Sequence, residues 1–291
     1  MNRNAVHRMA IATLAMIALF ASTAFSQTSI NLRFEAMAPY VGMTLNLRVV
    51  DTVSLREVSR LAVPEIPGSS FDVEVTGLVS GSSVRIDAFA DTNGNGRYDA
   101  PPLDPAWRLD LPEVRGDVSL TWVGSTESTD IGWPPAVDGI VNETEYTSWI
   151  VDSQTGMTVY SHVLDELLYI GLSAPGTGWL SIGFDPEVRM RGANIIIAAI
   201  EEGGLTIEDH YGNSPTSHRR DAADHIIQAA GAETADMSIV EFVIPLDSGD
   251  DEDKALIAGS EVTILLAYHR TDDRLTVRHT QRSTTSVRIG E

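Results

Sequence analysis

Met43-Thr44-Leu45-Asn46-Leu47-Arg48-Val49-Val50 sets Leu45, Leu47 and Val49 against Thr44, Asn46 and Arg48. Successive side chains of a strand point to opposite faces, so this alternation predicts one dry face and one wet one. Residues 29–34, 71–75 and 84–89 repeat the pattern, and Gly, Pro, Asn and Ser separate the runs. Residues 109–111 and 118–123 read as closing strands. Short alternating runs with turn residues between them predict an antiparallel sandwich over residues 27–124. A Ser/Thr/Glu stretch followed by Trp133-Pro134-Pro135 reads as a linker over 125–136. Residues 137–291 then carry strand runs at 158–162, 167–173, 179–184, 194–201, 238–245 and 261–268. A final strand pair is expected over 275–289, and one helical turn near 221–228. The expected fold class is all-β, with two β-sandwich domains.

The chain has 291 residues, comfortable for two domains. Its 41 acidic side chains against 20 basic ones give a formal net charge of −21. Nucleic acid and anionic membrane surfaces would repel it. The charge suits solubility, a basic protein partner, or bound cations. The sequence has no cysteine, which excludes disulfides, covalently attached c-type haem and a lipoprotein anchor.

Arg3 and Arg8 precede an apolar run from Met9 to Phe20, and Ala24-Phe25-Ser26 offers small residues for cleavage. Residues 1–26 are therefore expected to be a signal peptide, with export to the periplasm or the outside. The run is short for a membrane span, and no other stretch is long and apolar enough for one.

Asp91-Thr92-Asn93-Gly94-Asn95-Gly96-Arg97-Tyr98-Asp99 offers side-chain oxygens at loop positions 1, 3, 5 and 9. Gly96 falls where a calcium loop turns sharply, and Arg97 can give its carbonyl. Position 12 is Pro102 rather than the bidentate Glu of an EF-hand, and Asp104 is the nearest acid to replace it. Asp91, Asn93, Asn95, Arg97, Asp99 and Asp104 are candidate calcium ligands. A plain Asn-Gly hairpin turn explains the same residues.

Four stretches of the second half resemble the DOMON family. They are Leu168–Pro175 with Gly178–Phe184, Met190-Arg191-Gly192-Ala193-Asn194-Ile195-Ile196-Ile197, Val240–Asp250, and Leu275-Thr276-Val277-Arg278-His279-Thr280-Gln281-Arg282. The chain departs from the family pattern mildly, with Asn194 for the usual Asp. The resemblance implies a sandwich that holds a b-type haem, with iron ligands falling on Met190 and His279. Met190 is expected in a loop and His279 in the last strand pair, with Trp179, Ile182 and Phe184 lining the pocket. Some relatives bind sugars instead, and Trp133, Trp149 and Trp179 could offer stacking faces.

Asp209-His210-Tyr211, His218 and the run from Asp221 to His225 form an acid- and His-bearing stretch that matches no zinc spacing. No hydrolase, P-loop or dinucleotide motif is present. The expectation is an exported electron-transfer module, not an enzyme by itself, working with a redox partner whose docking face is basic. The alternative is a haem-free carbohydrate-binding sandwich.

Overall fold

Residues 27–124 and 127–290 are described by a computed structural model. The expected signal peptide lies outside the described residues. No helix among the described residues is long and apolar enough to cross a membrane.

In the N-terminal half the alternation becomes burial. Strands β1 (Gln27–Glu35), β2 (Thr44–Asp51), β3 (Glu57–Val63), β4 (Phe71–Val79), β5 (Ser82–Asp91), β6 (Ala106–Val114) and β7 (Val118–Val123) form two sheets, ordered β4-β1-β7 and β3-β2-β5-β6. Ile30, Leu32 and Phe34 of β1 meet Leu45, Leu47 and Val49 of β2 in one core. One pairing departs from the antiparallel expectation: β7 runs parallel to β1.

Of the segment read as a linker, residues 129–133 pack against the first sandwich. Thr129 N donates to the Ala106 carbonyl, Tyr98 Oη donates to Asp130, and Ile131 is buried against Phe89 and Ala106. Trp133 sits under the Arg48 and Arg60 guanidiniums. Composition marked these residues as polar and turn-forming, but it could not show that Ile131 has a pocket waiting.

The C-terminal half is a second sandwich. Its strands are β8 (Ser148–Val151), β9 (Thr158–Leu164), β10 (Leu167–Pro175), β11 (Leu180–Phe184), β12 (Asn194–Glu201), β13 (Gly204–Ser214), β14 (Ser217–Arg220), β15 (Gln228–Glu233), β16 (Met237–Pro245), β17 (Glu261–Tyr268) and β18 (Gln281–Arg288). A five-stranded sheet, β15-β16-β10-β9-β8, packs on a six-stranded one, β14-β13-β12-β11-β17-β18. Residues 221–227 are extended and turn-like rather than helical, and the expected strand pair over 275–289 is a loop followed by the single strand β18.

The outer face of the five-stranded sheet is covered too. Tyr146, Tyr160, Tyr169 and Val243 cluster there with Val137 and Val141. Glu241 is fully buried beneath them, accepting from Tyr146 Oη at 2.7 Å, Gly139 N at 2.8 Å and Asp138 N at 3.1 Å. Three donors satisfy the carboxylate that the strap of residues 137–146 closes over.

Candidate functional site

The six-stranded sheet is apolar on both faces. Leu180, Ile182 and Phe184 of β11 point into the sandwich core with Ile196 and Ala198 of β12. Trp179, Ser181, Gly183, Ile195 and Ile197 face the other way, into a cavity of about 1090 Å³. That volume lies just above the usual range for cofactor and ligand sites, roughly 300–1,000 Å³, and so is ample for a large ligand. The uninterrupted run Ile195-Ile196-Ile197-Ala198-Ala199 is what a strand buried on both sides requires.

Of the expected pocket residues, Trp179, Met190 and His279 line this cavity. Ile182 and Phe184 do not: both are fully buried in the core between the sheets. Period-two geometry explains the correction. Ile182 and Phe184 have the parity of Leu180, opposite to that of Trp179.

Met190 projects from the tight turn Val188–Arg191, closed by the Arg191 N to Val188 carbonyl bond of 3.1 Å. Its own carbonyl accepts from Ala193 N at 3.1 Å. Gly212 of β13 lies directly against that carbonyl, so a Cβ there would come 1.6 Å from the Met190 oxygen. Gly192 and Gly212 complete the join, Gly192 N donating to the Gly212 carbonyl at 2.8 Å.

His279 belongs to the loop before β18 rather than to a strand. Tyr268 and Trp179 fix that loop: Thr280 N donates to the Tyr268 carbonyl at 2.9 Å, and the Trp179 indole Nε1 donates to the Val277 carbonyl at 3.1 Å. Burial, then the charges of Arg282 and Arg278, push the His279 imidazole below its ordinary range. It is therefore neutral at physiological pH, the form that donates a lone pair to a metal.

The cavity is cationic in a strongly acidic chain. Arg189, Arg219, Arg220, Arg278 and Arg282 line it, and Glu208 is the single acid among its lining residues. Arg219 pairs with Glu252, and Arg220 pairs with Glu208. Among the described residues Arg278 and Arg282 make no ion pair, so their charges are available to an anionic ligand.

His210 and His218, which the sequence offers only as part of an acid- and His-bearing stretch without a zinc spacing, are functional-site residues by position. Both line the cavity, with their Nδ1 atoms 2.8 Å apart, and His210 Nε2 lies 2.9 Å from Glu208 Oε2. The strand parity of Glu208 and His210 was the available signal.

The loop from Asp91 to Asp104 is drawn together by hydrogen bonds. Asp91 accepts from Gly94 N at 2.7 Å and Gly96 N at 2.9 Å. Asp99 accepts from the Asn93 and Asn95 side-chain amides, and Asp104 from Thr92 N and Asp99 N. The Arg97 amide donates to Asn95 Oδ1 at 2.8 Å. Of the tryptophans considered for stacking, Trp149 is half exposed, whereas Trp179 is 4% exposed.

The DOMON domain family model matches residues 153–269. DBH-like monooxygenase protein 1 of Homo sapiens is 28% identical over 95 residues, 33% of this chain and 15% of that protein. The Mus musculus protein of the same name is 27% identical over 107 residues, 37% of this chain and 17% of its own length. The chain thus spans less than a fifth of these curated relatives. Among solved structures, the cytochrome domain of Myriococcum thermophilum cellobiose dehydrogenase is similar at a TM-score of 0.40 and 12% identity, covering 48% of this chain and 78% of that one. The cytochrome b domain of pyranose dehydrogenase from Coprinopsis cinerea is similar at a TM-score of 0.39 and 10% identity, covering 48% and 80%.

Proposed function

With residues 153–269 a DOMON domain, we propose that the C-terminal sandwich holds a b-type haem and serves as an exported electron-transfer module. The observation that carries this reading is that Met190 and His279, far apart in sequence, line one cavity. The other lining residues fit the group. Trp179, Ile195, Ile197, Leu265 and Leu275 offer apolar contact to a flat macrocycle, and Arg278 and Arg282 suit its two carboxylates.

When bound between a thioether and an imidazole, such a haem exchanges single electrons and has no open position for oxygen chemistry. The protein's part is to hold these two donors apart at fixed positions. The Gly212 contact sets the Met190 turn, and Trp179 sets the His279 loop. Burial, then the charges of Arg282 and Arg278, keep His279 unprotonated.

By itself the module is not a catalyst. It passes electrons to or from a partner, and its −21 charge favours a partner with a basic face. The visible spectrum of the full chain, purified with haem supplied, tests the proposal. A Soret band with sharp reduced α and β bands, lost in Met190→Ala and in His279→Ala, is expected. A chain that takes up no haem, or one whose spectrum ignores both substitutions, overturns it and leaves glycan binding as the working reading.

We further propose that the loop from Asp91 to Asp104 holds calcium and orders the end of the N-terminal sandwich. The convergence of Asp91, Asn93, Asn95, Asp99 and Asp104 on one turn favours this. Calcium should raise the thermal midpoint relative to chelator, and Asp91→Ala should abolish the difference. Equal midpoints would remove the idea.

A further inference from the structure

Strand parity divides Asp209 from its neighbour. His210 faces the cavity, so Asp209 faces the opposite side of β13, the side on which Leu205 and Ile207 pack against the core. There its carboxylate meets His225, from the segment joining β14 to β15, and Asp253, from the loop between β16 and β17. One donor atom from each of the three lies within 4.8 Å of the other two. The residues are contributed by three separate parts of the chain, so no sequence spacing announces them.

The group is not a plain acidic cluster. Asp209 is 2% exposed, and its Oδ1 has no hydrogen-bond partner. The Asp253 side chain is 6% exposed, and its Oδ1 is also without a partner. His225 Nδ1 lies 2.9 Å from Asp253 Oδ2, yet the pair lacks the directionality of a hydrogen bond. His225 Nδ1 and Asp253 Oδ1 thus remain unpartnered beside the unpartnered Oδ1 of Asp209, three donor groups gathered at one point. Asp221 brings a further unpartnered carboxylate oxygen nearby.

Charge makes the same point. Among the described residues no arginine or lysine pairs with Asp209 or Asp253. Burial, and then the Asp253 charge, push the Asp209 carboxyl up to about 7. Buried carboxylates without a cation are costly, and a divalent cation is the partner that resolves both the charge and the unpaired oxygens.

The framework is built to hold the donors in place. His225 N donates to Asp209 Oδ2 at 3.3 Å, and Asp221 N donates to the Asp209 carbonyl at 2.8 Å. The Arg219–Glu252 ion pair ties the loop bearing Asp253 back to β14.

We propose that Asp209, His225 and Asp253 bind one divalent transition-metal cation of the zinc or manganese class. Imidazole nitrogen with carboxylate oxygen suits these ions, whereas calcium and magnesium prefer oxygen alone. The site is structural: it closes the loop of residues 246–256 onto the edge of the six-stranded sheet. It is independent of the haem cavity, on the other face of β13.

Zinc binding to the full chain, measured by calorimetry and by thermal midpoint after chelator treatment, tests this. One zinc ion per chain is expected, raising the midpoint by roughly 5 °C at saturation. Asp209→Asn and His225→Ala should each weaken zinc at least about tenfold, while His218→Gln, a cavity substitution, should leave it unchanged. Without metal, Asp209→Asn should melt no lower than the native chain, which guards against misreading a folding defect. Absence of zinc binding overturns the proposal. So does zinc binding that survives both cluster substitutions or disappears in His218→Gln.

Discussion

The Met190 carbonyl and the Gly212 Cα are in contact across the join between the 188–191 turn and β13, with no room for a methyl group between them. Gly212→Ala should push the turn outward and carry the Met190 sulfur with it. The expected result is a loss of the low-spin reduced spectrum and of roughly 2 kcal/mol of stability, the usual scale for overpacking. Spectra and urea melts of the variant check it. A native spectrum would mean that the Met190 turn is not set by this contact.

Arg278 and Arg282 make a second kind of prediction. Each contributes to holding His279 unprotonated, after burial itself. A folded pKa lowered by these charges keeps the imidazole a ligand to lower pH. Arg278→Gln with Arg282→Gln raises that pKa, so acid release of haem should begin at higher pH. Haem affinity at neutral pH should fall about tenfold with the loss of two charge-assisted contacts. Titration of the Soret band from pH 8 to pH 4 measures both.

His162 of β9 supplies the stability counterpart. Burial, then the Arg48 charge, lower its pKa to about 4 from 6.5, and neither ring nitrogen has a hydrogen-bond partner. Between those values the unfolded chain binds a proton that the folded chain refuses. Stability therefore falls as pH drops through this window, by up to about 3 kcal/mol from this group. His162→Leu should flatten that part of the acid limb while costing little at pH 8. Other buried acids shape the same range, so the difference between native and variant curves is the quantity to measure.

Much of this architecture was legible because the strands advertise it. Leu45, Leu47 and Val49 alternate against polar residues, and their burial follows. Met190 and His279 came from motif rather than from periodicity, and both reach the cavity. Ile182 was misassigned beside Trp179 although an odd number of positions separates them along nearly the same strand. Parity was the better guide. Parity puts His210 on one face of β13 with Glu208, but which face covers the cavity depends on sheet order, which the sequence does not show. Asp253 was out of reach altogether: its approach to Asp209 is made by the fold of a loop, and nothing local encodes it.

Asp87 tests how the N-terminal sandwich holds the segment that follows it. Its carboxylate is fully buried between Arg48, at 2.8 Å, and Arg108, at 2.6 Å. Arg108 also donates to the Ile131 carbonyl at 2.7 Å, and Arg48 lies over Trp133. Removing the anion leaves two guanidiniums facing each other in a largely dry site. Asp87→Ala should therefore destabilise the chain by about 3–5 kcal/mol, the penalty for breaking a buried charge network from one side. Because the same arginines grip Ile131 and Trp133, the variant should also become sensitive to limited proteolysis between residues 127 and 136 before either sandwich unfolds. Global unfolding with no early cleavage there would show that apolar packing of Ile131, rather than the Asp87 network, fastens this segment.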